Sequence, residues 1–411
     1  MRVLYLHQHF STPAGATATR SFAMAGALAA RGHAVTIVCG RYAGAQTGLS
    51  GAYRRGRRSG RVGAFEVVEF DIPCGNAQGL PARGMAFLRY AARATRLALT
   101  GRYDVAIASS TPLTVVLPAL AAARWCRLPF VFEIRDPWPE LPRAMGVGSP
   151  PLWAAMDRLA DAACGCAAAV VALSEGMAET AIAHGADPAR VHVVPNGCDL
   201  DLFGPQVAPW RPEMARSWEV LAVYAGAHGP ANGLDLLLDA AAWLRARGER
   251  RLRLLLVGEG AEKPRLMARA VTEGLDNVTF LDPLPKRRLA GLLAGSQIGV
   301  QCLSPVPAFA EWTAPNKVMD YMASGLPVVA NLPGRLARLL EGDGAAFAPC
   351  GLVVSPQDAP ELGAALAALA ADPARRAALG AAARAQAVRR WDRRLLAGRF
   401  CMAVEAAARA G

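Results

Sequence analysis

VLYLHQHFSTPAGATATRSFAMAGALAARGHAVTIVC, Val3 to Cys39, reads as strand, loop, helix and strand. Val3 to Leu6 is a short apolar run that ends on the polar triplet His7, Gln8 and His9, the form of a strand buried in the middle of a sheet. Ser21 to Arg31 is an alanine-rich helical segment, and Val35 to Cys39 is a second short apolar run. Gly32 and His33 between them supply a helix stop and a tight turn. A strand joined to a second strand through a helix lies parallel to it. The stretch therefore predicts a βαβ unit.

The same alternation continues outward. Val105 to Ser109, Phe130 to Ile134, Val170 to Leu173 and Val191 to Val194 extend the first series of strands. Asp199 to Ser217 has Pro, Trp and polar residues without a period and reads as an interdomain linker. The pattern restarts at Val220 to Tyr224 with a glycine loop, a helix over Leu234 to Arg247 and a strand at Leu252 to Val257. Strands at Val278 to Leu281, Gly299 to Cys302 and Pro327 to Ala330 follow, with a helix starting near Pro315 and two Ala- and Arg-rich helices at the end. A chain of 411 residues is long enough for two such domains. The expected fold is α/β, two Rossmann-like, doubly wound parallel-sheet domains facing a central cleft where the carboxyl ends of the strands bind ligands.

Composition narrows the class. With 53% hydrophobic and 19% charged residues the chain supports packed cores rather than extensive disorder. Nine scattered cysteines show neither a disulfide framework nor CxxC zinc spacing, which points to reduced thiols in a cytoplasm. The N-terminus carries no pattern of a secretion signal. The longest apolar stretches, Val115 to Ala123 and Ala162 to Leu173, fall short of the ~18 residues of a membrane span. The formal charge of +12 suits an anionic partner, with a GC-rich genome that favours arginine as the alternative. Arg54, Arg55, Arg57, Arg58 and Arg61 form a basic cluster, and Arg89, Arg93 and Arg96 recur at helical spacing. These fit either a peripheral membrane face or a solvated helix side. Without interleaved aromatics they do not read as a nucleic-acid surface.

Four loops carry the chemistry. Ser11 to Arg20, with Gly15 and Ala16, lets backbone approach a ligand at a helix N-terminus, or is simply a pliable loop. Phe132 to Glu140, FEIRDPWPE, gathers Glu133, Arg135, Asp136 and Glu140 at a strand end. Arg135 there can grip a phosphate, and Asp136 or Glu140 can accept from sugar hydroxyls; an internal Arg to Asp pair is the plain alternative. Two glycine loops, Tyr224 to Gly233 with Gly226, His228 and Gly229, and Val257 to Lys263, follow strands and suit a diphosphate, with Lys263 as a compact cation. The fourth, EWTAPNKVMDYMASGLPVV from Glu311 to Val329, is the most specific. Pro315 can open a helix whose first N–H groups, near Asn316 and Lys317, face an anion. Asp320, one turn on, can accept two hydrogen bonds from a ribose.

PNKVMDYMASGLPVV, with NGCDLDLF before it, resembles the donor motif of the family-4 retaining glycosyltransferases, enzymes of the GT-B fold. The first loop and helix and the closing RRWDRRLLAGRF resemble the same family, so the resemblance spans nearly the whole chain. FEIRDPWPE and YAGAHGPANGLD narrow it toward transferases of L-fucosamine-type sugars in O-antigen and surface-polysaccharide assembly. The resemblance implies an acceptor domain over residues 1–203, a nucleotide-sugar domain over 204–385 and a helix over 386–411 that crosses back. It further implies that Asp320 holds the ribose, Asn316 and Lys317 lie near the diphosphate, the backbone at Leu284 meets the base, and Gly15 borders the acceptor.

This chain departs from the family where chemistry is expected. The first Glu of the usual Glu-x7-Glu is Trp312, with Glu311 one residue out of register. The usual Arg and Lys after the strand ending at Tyr224 match Ala227 and Asn232, and Arg135 stands where a histidine is common. Arg135, Lys263 and Lys317 are then the expected source of charge for the departing nucleoside diphosphate. Front-face transfer, with a phosphate oxygen taking the acceptor proton, is implied, while Asp136 or Glu140 as a covalent nucleophile remains the alternative. The expected reaction moves an amino- or deoxy-hexose, UDP-linked, to a saccharide or polyprenyl-diphosphate-linked acceptor, without cofactor or metal, at an anionic inner-membrane surface. A nucleotide-sugar epimerase or hydrolase of the same fold, and a noncatalytic nucleotide-sugar-binding subunit, stay open.

Overall fold

The computed structural model describes residues 1–15, 19–75, 78–312, 316–342 and 347–410. Contacts divide the chain into two units, Met1–Pro195 with Arg394–Gly411, and Asn196–Arg393.

The first unit holds β1 (Arg2–Leu6), β2 (Ala34–Tyr42), β3 (Arg57–Val62), β4 (Phe65–Cys74), β5 (Val105–Ser109), β6 (Phe130–Ile134), β7 (Ala169–Ala172) and β8 (Val191–Val193). Its helices are α1 (Arg20–Ala30), α2 (Leu80–Thr100), α3 (Val116–Cys126), α4 (Glu140–Ala144), α5 (Pro150–Cys166) and α6 (Glu175–Ala183). The sheet runs β3-β4-β2-β1-β5-β6-β7-β8, and every pair is parallel except β3 with β4. Every residue of β5 and β6 is buried, as in a parallel sheet covered on both faces. Chain order reverses between β1 and β5, which makes their carboxyl ends the switch point where such sheets bind ligands.

The hairpin of β3 and β4 has no counterpart in the sequence reading, which took Arg54 to Arg61 as a plain basic cluster. An arginine-rich edge strand lacks the apolar alternation that marks a strand, and it also resists pairing with another chain. Arg58 leaves the cluster: its guanidinium bonds the buried Glu69 carboxylate at 2.8 Å and stacks 4.7 Å from the Tyr53 ring.

The second unit holds β9 (Val220–Ala225), β10 (Leu252–Val257), β11 (Val278–Leu281), β12 (Ile298–Gln301), β13 (Val328–Ala330) and β14 (Gly351–Val353), all parallel in the order β11-β10-β9-β12-β13-β14. Its helices are α7 (Asp235–Ala246), α8 (Lys263–Thr272), α9 (Lys286–Ala294), α10 (Phe309–Trp312), α11 (Asn316–Ala323), α12 (Arg335–Glu341), α13 (Ala359–Ala371) and α14 (Pro373–Arg390). The switch point lies between β9 and β12. The segment read as a linker is instead packed: Leu200, Leu202, Val207 and Trp210 join the core of this unit beside Phe203. Irregular backbone buries these side chains without a period, so no pattern announced them. The closing helix α15 (Arg393–Ala410) returns to the first unit, where Leu396, Phe400 and Val404 pack with Val3, Tyr5, Met24 and Ile37.

Candidate functional site

In the first unit the loops after β1, β5 and β6 meet at the switch point. The Arg135 N–H donates to Ser110 Oγ at 3.0 Å, and its guanidinium Nη1 lies 2.7 Å from His7 Nε2. Asp136 is exposed and accepts from Thr111 Oγ1 at 2.6 Å. The alternative, an Arg to Asp pair within this loop, is not what forms: Arg135 meets His7 and Asp136 meets Thr111. Glu133 is instead a core residue: it accepts from Arg20 Nε at 2.8 Å, Tyr5 OH at 3.0 Å and Ser109 Oγ at 2.6 Å. Arg20 also donates to the carbonyls of Val194 and Pro195 at 2.9 and 2.6 Å. Burial alone would raise the Glu133 carboxyl, but Arg20, Arg135 and Ser109 bring it below the usual range. A buried charge with every partner in place organises the site from behind.

Glu140 does not stand open to a ligand. At the start of α4 its carboxylate lies 2.6 Å from His184 Nε2, while His184 Nδ1 lies 2.6 Å from Asp161. The Glu140 hydrogen bond, opposed by burial and helped by Asp161, lifts the His184 imidazole to about 9. Glu140, Asp157 and His184 are the one group among the described residues whose ligand atoms converge within 4.8 Å. As arranged they form ion pairs rather than a metal cage, since both ring nitrogens face carboxylates and Asp157 holds Arg143 at 2.7 Å. At Gly15 a Cβ would fall 2.2 Å from Ser11 Oγ and 2.8 Å from the Gln46 nitrogen, so only glycine fits that turn. Ala16 lies outside the described residues.

In the second unit the two glycine loops interlock. The His228 N–H donates to the Glu259 carbonyl, and the His228 carbonyl accepts from the Glu262 N–H, both at 2.9 Å. A Cβ on Gly258 would fall 1.9 Å from the Gly226 carbonyl oxygen, and one on Gly260 2.4 Å from that of His228. These glycines are spent on loop against loop. The buried His228 ring sits between Tyr224 and Phe280, 6.0 and 6.2 Å away, and burial, aided by Lys263, lowers it to about 4. Gly229, at the next turn, has open space where its side chain would be.

Lys263 and Lys317 diverge. Lys263 is buried and bonded to Asp282 at 2.7 Å and Glu259 at 3.2 Å, so its charge is neutralised locally. Lys317, in the first turn of α11, donates to Tyr224 OH at 3.0 Å and Asn232 Oδ1 at 3.3 Å, and lies 4.1 Å from the Tyr224 ring centre. Burial lowers its ammonium to about 8. Gly226 admits it: a Cβ there would fall 2.8 Å from Nζ. Asn232 thus helps to seat Lys317.

Asp320, 4% exposed, accepts from Lys286 Nζ at 2.7 Å through Oδ2. Sequence reasoning missed Lys286, which sits in an ordinary basic first turn, KRR, of α9 and shows no motif. Asn316 is exposed at the start of α11, and Pro315 lies outside the described residues. Leu284 lies in the loop after β11 and packs partly against the core. Glu311, on α10, faces Arg335 at 2.9 Å and Arg338 at 3.5 Å.

Comparison with known proteins places this geometry. Residues 15–197 match the glycosyl transferase 4-like domain, and residues 219–372 match glycosyl transferases group 1. A D-inositol 3-phosphate glycosyltransferase of Kribbella flavida is 32% identical over 327 residues, covering 74% of this chain and 72% of that protein. Shorter matches to proteins of the same name span 34% to 46% of their length. These relatives do not carry the name of an L-fucosamine-type transferase. Sucrose-phosphate synthase from Thermosynechococcus elongatus superposes with a TM-score of 0.77 at 18% identity over all of both chains. Anabaena HepE, in complex with UDP-glucose, superposes with 0.67 at 19% identity, over 98% of this chain and 99% of its own. With both units matched and the Kribbella relative aligned over most of its length, the chain belongs to the group 1, family-4-like glycosyltransferases and has the GT-B fold.

Proposed function

We propose that this glycosyltransferase transfers an amino- or deoxy-hexose from a UDP sugar, with retention, to a saccharide or polyprenyl-diphosphate-linked acceptor of bacterial surface-polysaccharide assembly. The observation that carries the reading is Lys317. Among the described residues its ammonium meets only neutral oxygens, beside a glycine loop and at a helix start, so its charge is left for a diphosphate. Asp320 keeps Oδ1 for ribose hydroxyls while Lys286 holds Oδ2. The loop at Leu284 meets the base, and Asn316 and Gly229 flank the phosphates. HepE's complex with UDP-glucose supports a uridine donor. Arg135 stabilises the charge that develops on the leaving group, and Asp136 and Gly15 border the acceptor. Lysine and arginine then do the work of a metal, and the nucleotide sugar is a substrate rather than a cofactor.

The acceptor side of the proposal rests on α2. Leu80, Met85 and Leu88 are exposed beside Arg89, Arg93 and Arg96, a composition suited to an anionic membrane surface. Among the described residues no helix is long and apolar enough to cross a membrane, so the proposed attachment is peripheral, from the cytoplasmic side.

A thermal-shift screen of UDP and GDP sugars tests the donor reading, because a ligand that binds the native state raises its Tm. A UDP sugar should stabilise the protein and lose that effect in Lys317→Ala. No shift with any UDP sugar would overturn the reading. Release of free sugar, or of an epimer, at full rate without acceptor would favour the hydrolase or epimerase alternative.

A further inference from the structure

We infer that His7, which no sequence motif marks, is the positioning residue that fixes the guanidinium of Arg135. The inference rests on the reading of Arg135 as a residue that acts on the leaving group. His7 is 2% exposed at the carboxyl end of β1. Its Nε2 lies 2.7 Å from Arg135 Nη1, and its Nδ1 lies 2.7 Å from Ser21 Oγ on α1.

A guanidinium only donates, so Nε2 must accept and the ring must be neutral. The proton of the neutral ring then sits on Nδ1 and is donated to Ser21 Oγ. Ser21 thereby selects the tautomer that presents a lone pair to Arg135. Burial, followed by the charges of Arg135 and the neighbouring His9, keeps His7 well below its ordinary pKa, consistent with this state. The backbone N–H of Arg135 is held separately by Ser110. Backbone and side chain are thus fixed from two strands, β5 and β1. Arg20, next to Ser21, binds Glu133, two residues before Arg135. The first turn of α1 therefore grips the end of β6 twice, once directly and once through His7.

Substitutions that keep or remove the acceptor separate positioning from packing. His7→Gln retains an acceptor at about the reach of Nε2, His7→Asn retains one only near Nδ1, and His7→Phe retains only the ring. Turnover is read as UDP release from the UDP sugar found by thermal shift, with the sugar passing to a polyprenyl-diphosphate-linked saccharide or, more slowly, to water. The inference expects kcat to fall about 10- to 100-fold in His7→Phe and His7→Asn, with KM for the donor and Tm little changed, and to recover largely in His7→Gln. In an Arg135→Ala background the His7→Phe loss should vanish, since a residue acting through Arg135 has nothing left to position. Full kcat in His7→Phe with a dead Arg135→Ala would overturn the inference and leave the role of Arg135 intact. Full kcat in Arg135→Ala would remove both. Nitrogen-15 NMR of the six histidines gives a test independent of turnover: His7 must be the Nδ1–H tautomer at neutral pH, and an Nε2–H signal would overturn the inference.

Discussion

Lys317 combines a lowered pKa with a proposed role that requires charge, and the two make opposite demands on pH. Its native pKa of about 8 lies below the ~10.4 of an unfolded lysine. Between those values the unfolded chain binds more protons, so this group makes stability rise with pH there. Activity should move the other way. Above about 8 the free enzyme loses the ammonium that meets the donor, and kcat/KM should fall on a basic limb at that pH. Lys317→Arg should remove the limb by staying charged, while Lys317→Ala should lower kcat/KM about 10²- to 10³-fold below about pH 8, a deficit that shrinks as the native enzyme descends the limb. A pH profile of the three proteins checks this, and a limb that survives in Lys317→Arg assigns it to another group. Lys317 was legible because it sits in a motif. Its partner Asn232 and the ion pair of Asp320 with Lys286 were not, since they join residues 85 and 34 positions apart and neither has a periodic signal. Lys263 shows the same limit in reverse: a glycine loop advertised a phosphate cation, and the fold closes it on Asp282 and Glu259.

At the level of elements, local pattern reports what a strand or helix buries and is silent about what pairs with it. The apolar runs of β1, β5, β6 and β9 announced a parallel sheet. The strand Arg57–Val62 did not, because an exposed edge has no buried face to pattern. FEIRDPWPE illustrates both sides. Its charge density suggested a site, yet Glu133 is core and Glu140 a latch between α4 and α6, and only tertiary contacts separate these from Arg135 and Asp136. That latch has a testable pH dependence. The His184 pKa is raised to about 9 from 6.5, so its stabilisation is fully present below about 6.5 and is lost as pH rises through 9. Allowing for solvent screening around Asp161, the contribution is roughly 1–2 kcal/mol. Chemical denaturation at pH 6 and pH 9.5 should therefore show the native protein losing more stability than His184→Gln by an amount of that size. Equal losses in both proteins would refute the latch.

The two glycine loops of the second unit yield a sharper prediction at the same scale. Gly258→Ala puts a methyl into the Gly226 carbonyl at a φ of +147° and must push the loops apart. Stability should drop by more than about 1 kcal/mol, and the UDP-sugar thermal shift should weaken with it. Gly229→Ala has open space and is the control for stability, which should stay close to native.

The molecule as a whole is two sheets of similar design whose chain ends are exchanged in sequence: α15 follows the second unit but completes the core of the first. Phe400 carries much of that completion. It is fully buried, its ring centroid lies 6.2 Å from that of Tyr5 and its centre 6.0 Å from the Arg20 guanidinium, so it packs beneath the Glu133 network that backs Arg135. Phe400→Ala should cost about 3–5 kcal/mol through lost burial and the cavity left behind, and Phe400→Leu considerably less. Because donor contacts are proposed for the second unit, UDP-sugar binding to folded protein should survive either change. Turnover should fall in Phe400→Ala even below its unfolding temperature, since Tyr5 and Arg20 lose the surface that orders Glu133. Isothermal binding and UDP-release assays on the same preparation separate these effects. Parallel loss of binding and turnover would show that α15 supports the donor unit as well.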